Sequence, residues 1–150
     1  MSTSTYLEML KQSFDFLFTR YGYQISKHVD DESFANQYTL LESEQLVLAI
    51  IKDRGIISLD IRESDGRKIP KEGHYRFFYD FLVILKALNA PEEKELRLLR
   101  VDDKTQLNVI AKTLESHYLR ILKMFNPDRI ARTKQELRRL EKERTDEVFQ

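Results

Sequence analysis

Residues 46–62, LVLAIIKDRGIISLDIR, decide the fold. In a chain that is 33% charged, this apolar run is broken in its middle only by Lys52-Asp53-Arg54-Gly55. Leu46, Leu48 and Ile50 alternate with Val47, Ala49 and Ile51, so a strand here is apolar on both faces and belongs in the middle of a sheet. Asp53-Arg54-Gly55 has the composition of a short hairpin loop: Asp supports a turn through its side chain, and Gly accepts a positive φ. Beyond it, Ile57, Leu59 and Ile61 alternate with Ser58, Asp60 and Arg62, the pattern of a second strand with one face on a core. The break in the run therefore reads as a turn before it reads as a reactive site.

Upstream, FANQYTLLES (34–43) carries the β-branched and aromatic residues of a further strand. The polar stretch 23–33, in which Ile25 and Val29 are the only apolar aliphatics, is expected to hold a short edge strand before the loop DDES. Downstream, Ser64-Asp65-Gly66-Arg67 is a second turn, after which KIP (68–70) reads as a fourth strand that Pro70 confines to an edge or an end. The result is an antiparallel meander of three to four strands over about residues 34–71.

Helical spacing surrounds it. Tyr6, Leu7, Leu10, Phe14, Leu17, Phe18 and Tyr21 predict a helix over about 5–21, with Thr5 and Glu8 at capping-box spacing and Gly22 as the left-handed residue that ends it. Phe77, Phe81, Ile84, Leu85 and Leu88 predict a helix over about 74–89 that presses onto the sheet and is closed by Asn89. PEEKELRLLR (91–100) opens with Pro and acids, as a short helix does. Asp103 and Gln106 have capping spacing, and Leu107, Ile110, Leu114, Tyr118, Ile121 and Phe125 follow on one face. Asn126-Pro127 reads as the start of a last helix running to about 146. The fold class is α+β: an N-terminal helix, the meander, then three or four helices with at least two packed on one face of the sheet.

Length and composition set the outer bounds. A chain of 150 residues with a 41% hydrophobic share can form a single domain, because at this size about 70% of the unfolded surface leaves water. No internal repeat or shift of composition marks a second domain; residues 127–147, polar and charged, are the one segment expected to project or to mediate self-association. Twenty-five basic and twenty-five acidic residues cancel, which removes the positive field that drives binding to nucleic acid or anionic lipid. With no Cys there is neither disulfide nor thiolate chemistry, as suits a reducing compartment. The N-terminus MSTSTYLEML has no apolar signal core, and FLVILKALNA is too short to span a bilayer. A cytoplasmic protein is the expectation.

Motifs for chemistry are sparse. His28, His74 and His117 lie far apart, and none has the helical pairing with Glu that makes a zinc site recognisable, so no metal is assigned. There is no Gly-x-Ser-x-Gly elbow and no Gly-rich phosphate loop, so no catalytic residue and no cofactor is assigned. Convergent carboxylates are a matter for three dimensions; Asp60, on the outward face of a strand, and Asp80, among aromatic residues, are the two to inspect.

Charge is distributed unevenly. Residues 28–51 contain Asp30, Asp31, Glu32, Glu42 and Glu44 and not one Lys or Arg. If both groups project toward one edge of the sheet, they form an acidic rim that steers a basic protein partner; the alternative is charge balance against Arg67, Lys68, Lys71 and Arg76. The tail from Asp128 alternates Arg129, Arg132, Lys134, Arg138, Arg139, Lys142 and Arg144 with acids. Pairs such as Asp128 with Arg132 and Arg139 with Glu143 fall at helical spacing, so a solvated helix outranks a nucleic-acid surface. Ile130 and Leu137 are a heptad apart and, with Leu140, form the stripe through which two copies could associate.

From FDFLFTRYGYQI through SFANQYTLLESEQLVLAIIKDRGIISLDI, the order of features resembles that of small uncharacterised bacterial proteins grouped with toxin-immunity proteins. The resemblance covers about residues 8–62 and consists of Phe16-Leu17, Tyr21-Gly22-Tyr23, the aromatic strand start at Phe34 and Tyr38, and the Asp53-Arg54 hairpin. It implies a non-catalytic protein that binds another protein, and it transfers no binding residue. The leading expectation is an interaction protein, immunity-like in type, that meets its partner through the acidic segment. A self-associating structural protein, homodimeric through the C-terminal helix, and a carboxylate-dependent enzyme are the alternatives.

Overall fold

The computed structural model describes residues 3–31, 36–64, 77–97 and 101–148. Along them run α1 (Thr3–Ser13), α2 (Asp15–Arg20), β1 (Gln24–Asp31), β2 (Asn36–Glu42), β3 (Leu46–Asp53), β4 (Ile56–Glu63), β5 (Tyr79–Asp80), α3 (Phe81–Ala87), α4 (Glu92–Arg97), α5 (Asp103–Met124) and α6 (Ile130–Val148). The strands form one antiparallel sheet in sequence order, with β3 at its centre. Leu46 to Ile50 are all buried, as a strand with apolar residues on both faces requires. Arg54 and Gly55 turn β3 into β4 with φ values of +54° and +82°, the pair of left-handed residues that a tight hairpin needs.

Register sorts the two faces. Leu48 lies between Leu41 and Ile61, and Ile50 between Thr39 and Leu59. These residues share a core with Leu10, Phe14 and Leu17 from the N-terminal helices and with Leu114, Ile121 and Leu137 from the C-terminal ones. An aromatic cluster closes the same core, where Tyr21 stacks on Tyr118 at 4.1 Å and the Tyr23 and Tyr118 hydroxyls lie 2.7 Å apart. The opposite face carries the rows Val29–Tyr38–Ile51–Ser58 and Lys27–Leu40–Ala49–Asp60, with the pairs Asp31–Asn36 and Asp53–Ile56 at one end.

Several boundaries differ from the sequence reading. The helix expected over 5–21 breaks at Phe14, which separates α1 from α2. Tyr6, Leu10, Phe14 and Leu17 lie along one stripe, but Phe16 is buried too; a continuous helix would turn it away from that stripe, and the break brings it in. The helix expected over 74–89 begins at Phe81, because Tyr79 and Asp80 pair with Ile61 and Asp60 on β4. Asp80 then caps α3 by accepting the Leu82 amide at 2.9 Å. Asn89, at φ +57°, lies two residues past Ala87 and makes the expected left-handed exit. The KIP strand, Pro70 and His74 lie outside the described residues.

Gln106 was expected to cap the long helix and does something else. It is buried, takes the Ile57 amide at 2.8 Å, and donates to the Gly55 and Val101 carbonyls at 2.8 Å each. One side chain thus satisfies three backbone groups and ties α5 to the hairpin. The last helix starts at Ile130 rather than Pro127, and the Asn126 carbonyl accepts the Arg129 and Ile130 amides in the turn before it.

Candidate functional site

The hairpin register separates the acidic groups. Asp30 and Asp31 stand opposite Gln37 and Asn36 at one end of β1 and β2, whereas Glu42 stands opposite Gln24 at the other, with Glu44 in the turn after it. A strand advances about 3.4 Å per residue, so the two groups are roughly 20 Å apart and do not form one rim. Glu32 lies outside the described residues. The acidic segment is therefore two sites, and the Asp30–Asp31 site belongs to β1.

β1 is an edge strand with no strand beyond it among the described residues. Five of its eight positions are exposed, and Val29 keeps 44% of its surface in water. The direction of its backbone groups follows from the ladder. The Ser43 amide donates to the Leu46 carbonyl at 3.0 Å, which makes that pair hydrogen-bonded and, by alternation, turns Leu41, Thr39 and Gln37 toward β3. Leu40, Tyr38 and Asn36 then bond to Lys27, Val29 and Asp31 of β1. The amides and carbonyls of His28 and Asp30 face outward. A shift in register between Ile25 and Lys27 marks a bulge that confines this regular edge to residues 27–31. Beside it lies a recess of about 240 Å³ lined by Val29, Tyr38, Ile51 and Asp31.

The two carboxylates singled out in the sequence do meet. Asp60 and Asp80 are cross-strand partners on β4 and β5. Burial, then the neighbouring charges of Asp80 and Glu141, push the Asp60 carboxyl up to about 6. Asp80 is already engaged, since besides capping α3 it accepts from Arg144 of α6 at 2.8 Å. Glu141 is also raised, first by burial and then by Asp80, against the lowering effect of Arg144 and Arg138. A cavity of about 260 Å³ lies next to this group, lined by Asp80, Arg144, Ser58, Phe81 and Gln106 among others. Asp60 itself does not line it. Among the described residues no three His, Asp or Glu side chains are grouped to hold a metal ion.

Each of the two described histidines meets a partner at one ring nitrogen. His117 Nε2 lies 2.6 Å from Glu92 Oε2, and this bond lowers the Glu92 carboxyl below its usual range. His28 Nδ1 lies 2.8 Å from Thr39 Oγ1. Ile130, Leu137 and Leu140 are 2%, 0% and 6% exposed in the chain's own core, so α6 spends its apolar stripe on intramolecular packing. Its i, i+4 pair Arg139–Glu143 forms at 2.7 Å, as the spacing predicts. What the sequence does not signal is Lys134, one of the alternating cations, which reaches inward to Glu63 at 2.7 Å with both side chains buried. No helix among the described residues is long and apolar enough to cross a membrane. Comparison with protein-family models, with curated proteins and with solved structures finds no match for this chain.

Proposed function

We propose that the protein is a non-catalytic binding protein that receives an extended segment of a protein partner along the β1 edge. The observation that carries this reading is the edge itself: an ordered strand whose His28 and Asp30 backbone groups point outward beside an exposed Val29. Strand addition uses such an edge, with main-chain hydrogen bonds supplying affinity and the facing side chains supplying selectivity. Lys27 precedes Asp30 and Asp31, so the favoured partner segment sets an acid against Lys27 and a base against the aspartates. An immunity-like role, in which the partner is a toxin, is one form of this reading.

Asp30→Pro tests it. The substitution removes an outward amide and leaves the β1–β2 ladder intact, a position at which an edge strand tolerates proline. Immobilised wild-type chain is expected to retain a protein from native-cell extract that the Asp30→Pro chain loses; equal retention by both removes the edge from the mechanism.

One observation favours a second reading, proton transfer at Asp60 relayed through Asp80: the Asp60 carboxyl is raised to about 6, and its cross-strand partner Asp80 lines a cavity. Amide shifts confined to Ser58, Leu59 and Asp80 on titration with a panel of small metabolites would carry it. A panel that leaves those amides unmoved removes it.

A further inference from the structure

We infer that a second copy of this chain occupies the β1 edge, joining two sheets into one ten-stranded sheet about a two-fold axis at Val29. The inference rests on reading β1 as a contact edge and adds the identity of the occupant. Its basis is the order of charges along KHVDD, residues 27–31. In an antiparallel pairing centred on Val29, Lys27 stands opposite Asp31 of the second copy and Asp31 opposite its Lys27. His28 stands opposite Asp30 in the same way. The strand is complementary to its own reverse, which is what an isologous interface requires.

The backbone agrees with this register. His28 and Asp30 carry the outward amides and carbonyls, and the pairing sets His28 against Asp30 in both halves, so each half closes a hydrogen-bonded pair while Val29 meets Val29 in a non-hydrogen-bonded one. Sliding the strands by one residue faces outward groups with inward ones. Shifting the axis to His28 leaves Lys27 opposite Val29, and shifting it to Asp30 sets that carboxylate against its own copy. Charge and backbone parity together select the axis at Val29.

The face of the sheet that carries Val29 supplies the third element. Val29 shares a row with Tyr38 and Ile51, so the two-fold joins Ile51, Tyr38 and Val29 of each copy into a continuous six-residue apolar stripe. Ion pairs flank it on both sides. An exposed valine on an edge strand is a liability in a lone sheet and the centre of the contact in the paired one.

A single thiol tests the register, because the natural chain has no Cys. Val29→Cys is expected to cross-link to itself under mild oxidation, since facing residues in a non-hydrogen-bonded pair bring their Cα atoms to about 4.5 Å. Ser26→Cys, on the same strand but away from the axis, is expected to remain uncross-linked. Mixed Lys27→Cys and Asp31→Cys chains should cross-link to each other more than either does to itself. By sedimentation equilibrium, Asp31→Lys sets like charges together at both ends of the strand and is expected to weaken the wild-type dimer about tenfold, and adding Lys27→Asp restores it.

A wild-type chain that sediments as a monomer, with Val29→Cys no faster to cross-link than Ser26→Cys, overturns the self-pairing. In that case loss of a captured protein by Asp30→Pro would show that the edge takes a foreign strand and that only the identity of the occupant was wrong. Equal capture would overturn the edge reading as well.

Discussion

Asp60 ties the stability of the fold to pH. Its carboxyl is raised to about 6 by burial and by Asp80 and Glu141, so the folded chain binds that proton more tightly than the unfolded one does. Stability is then lost as pH rises from about 4 through 6, at a cost of about 1–2 kcal/mol once residual solvent contact is allowed for. Asp60→Asn is expected to raise the melting temperature at pH 7.5 and leave it nearly unchanged at pH 4, as thermal denaturation at the two values will show. Glu63 and Lys134 work in the opposite sense. Lys134→Met leaves a buried carboxylate without its partner and should destabilise the fold by about 3–5 kcal/mol in urea titrations, whereas Glu63→Gln combined with Lys134→Met should recover part of that loss.

At the scale of the element, the sequence was most readable where local chemistry acts alone. Alternation over Leu46–Ile51, the hairpin at Arg54-Gly55 and the left-handed Asn89 each follow from side-chain type and backbone preference within a few residues, and each stands where the pattern places it. The readings that failed needed a distant partner. Gln106 leaves its capping position for three backbone groups near the hairpin, and Lys134 turns out of its polar row toward Glu63, 71 residues away. Asp60 and Asp80 could be named separately, but their pairing depends on Tyr79 and Asp80 adding to the sheet before the helix starts. Gly55→Ala is the corresponding test of local control: at φ +82° a side chain is strained, and a loss of about 1 kcal/mol is expected in chemical denaturation.

For the molecule as a whole, the helices from both ends of the chain close over one side of the sheet. Ser13 Oγ donates to Asn108 Oδ1 at 2.7 Å, and Thr133 Oγ1 donates to the Met124 carbonyl at 2.6 Å, so α1 is tied to α5 and α5 to α6. A chain ending at Asn126 loses Ile130, Leu137 and Leu140 from the core and removes the Glu63 partner. It is expected to lose its near-ultraviolet circular dichroism and its cooperative melting, where an appended helix would have left both intact. The candidate contact edge was only half legible in the sequence, because the acids of residues 30–44 were visible but the hairpin register that separates them was not.

The same closure has a temporal side. β4 ends at Glu63 and α6 at Val148, so 85 residues must still be added after the fourth strand is complete. At translation rates of about 5–20 residues per second, the nascent sheet waits roughly 4–17 seconds with α1 and α2 present but the C-terminal helices not yet complete over its oily side. Tyr118 is made about two-thirds of the way through that interval, so its hydroxyl can meet that of Tyr23 before α6 exists, and the remaining apolar surface waits for the last helix.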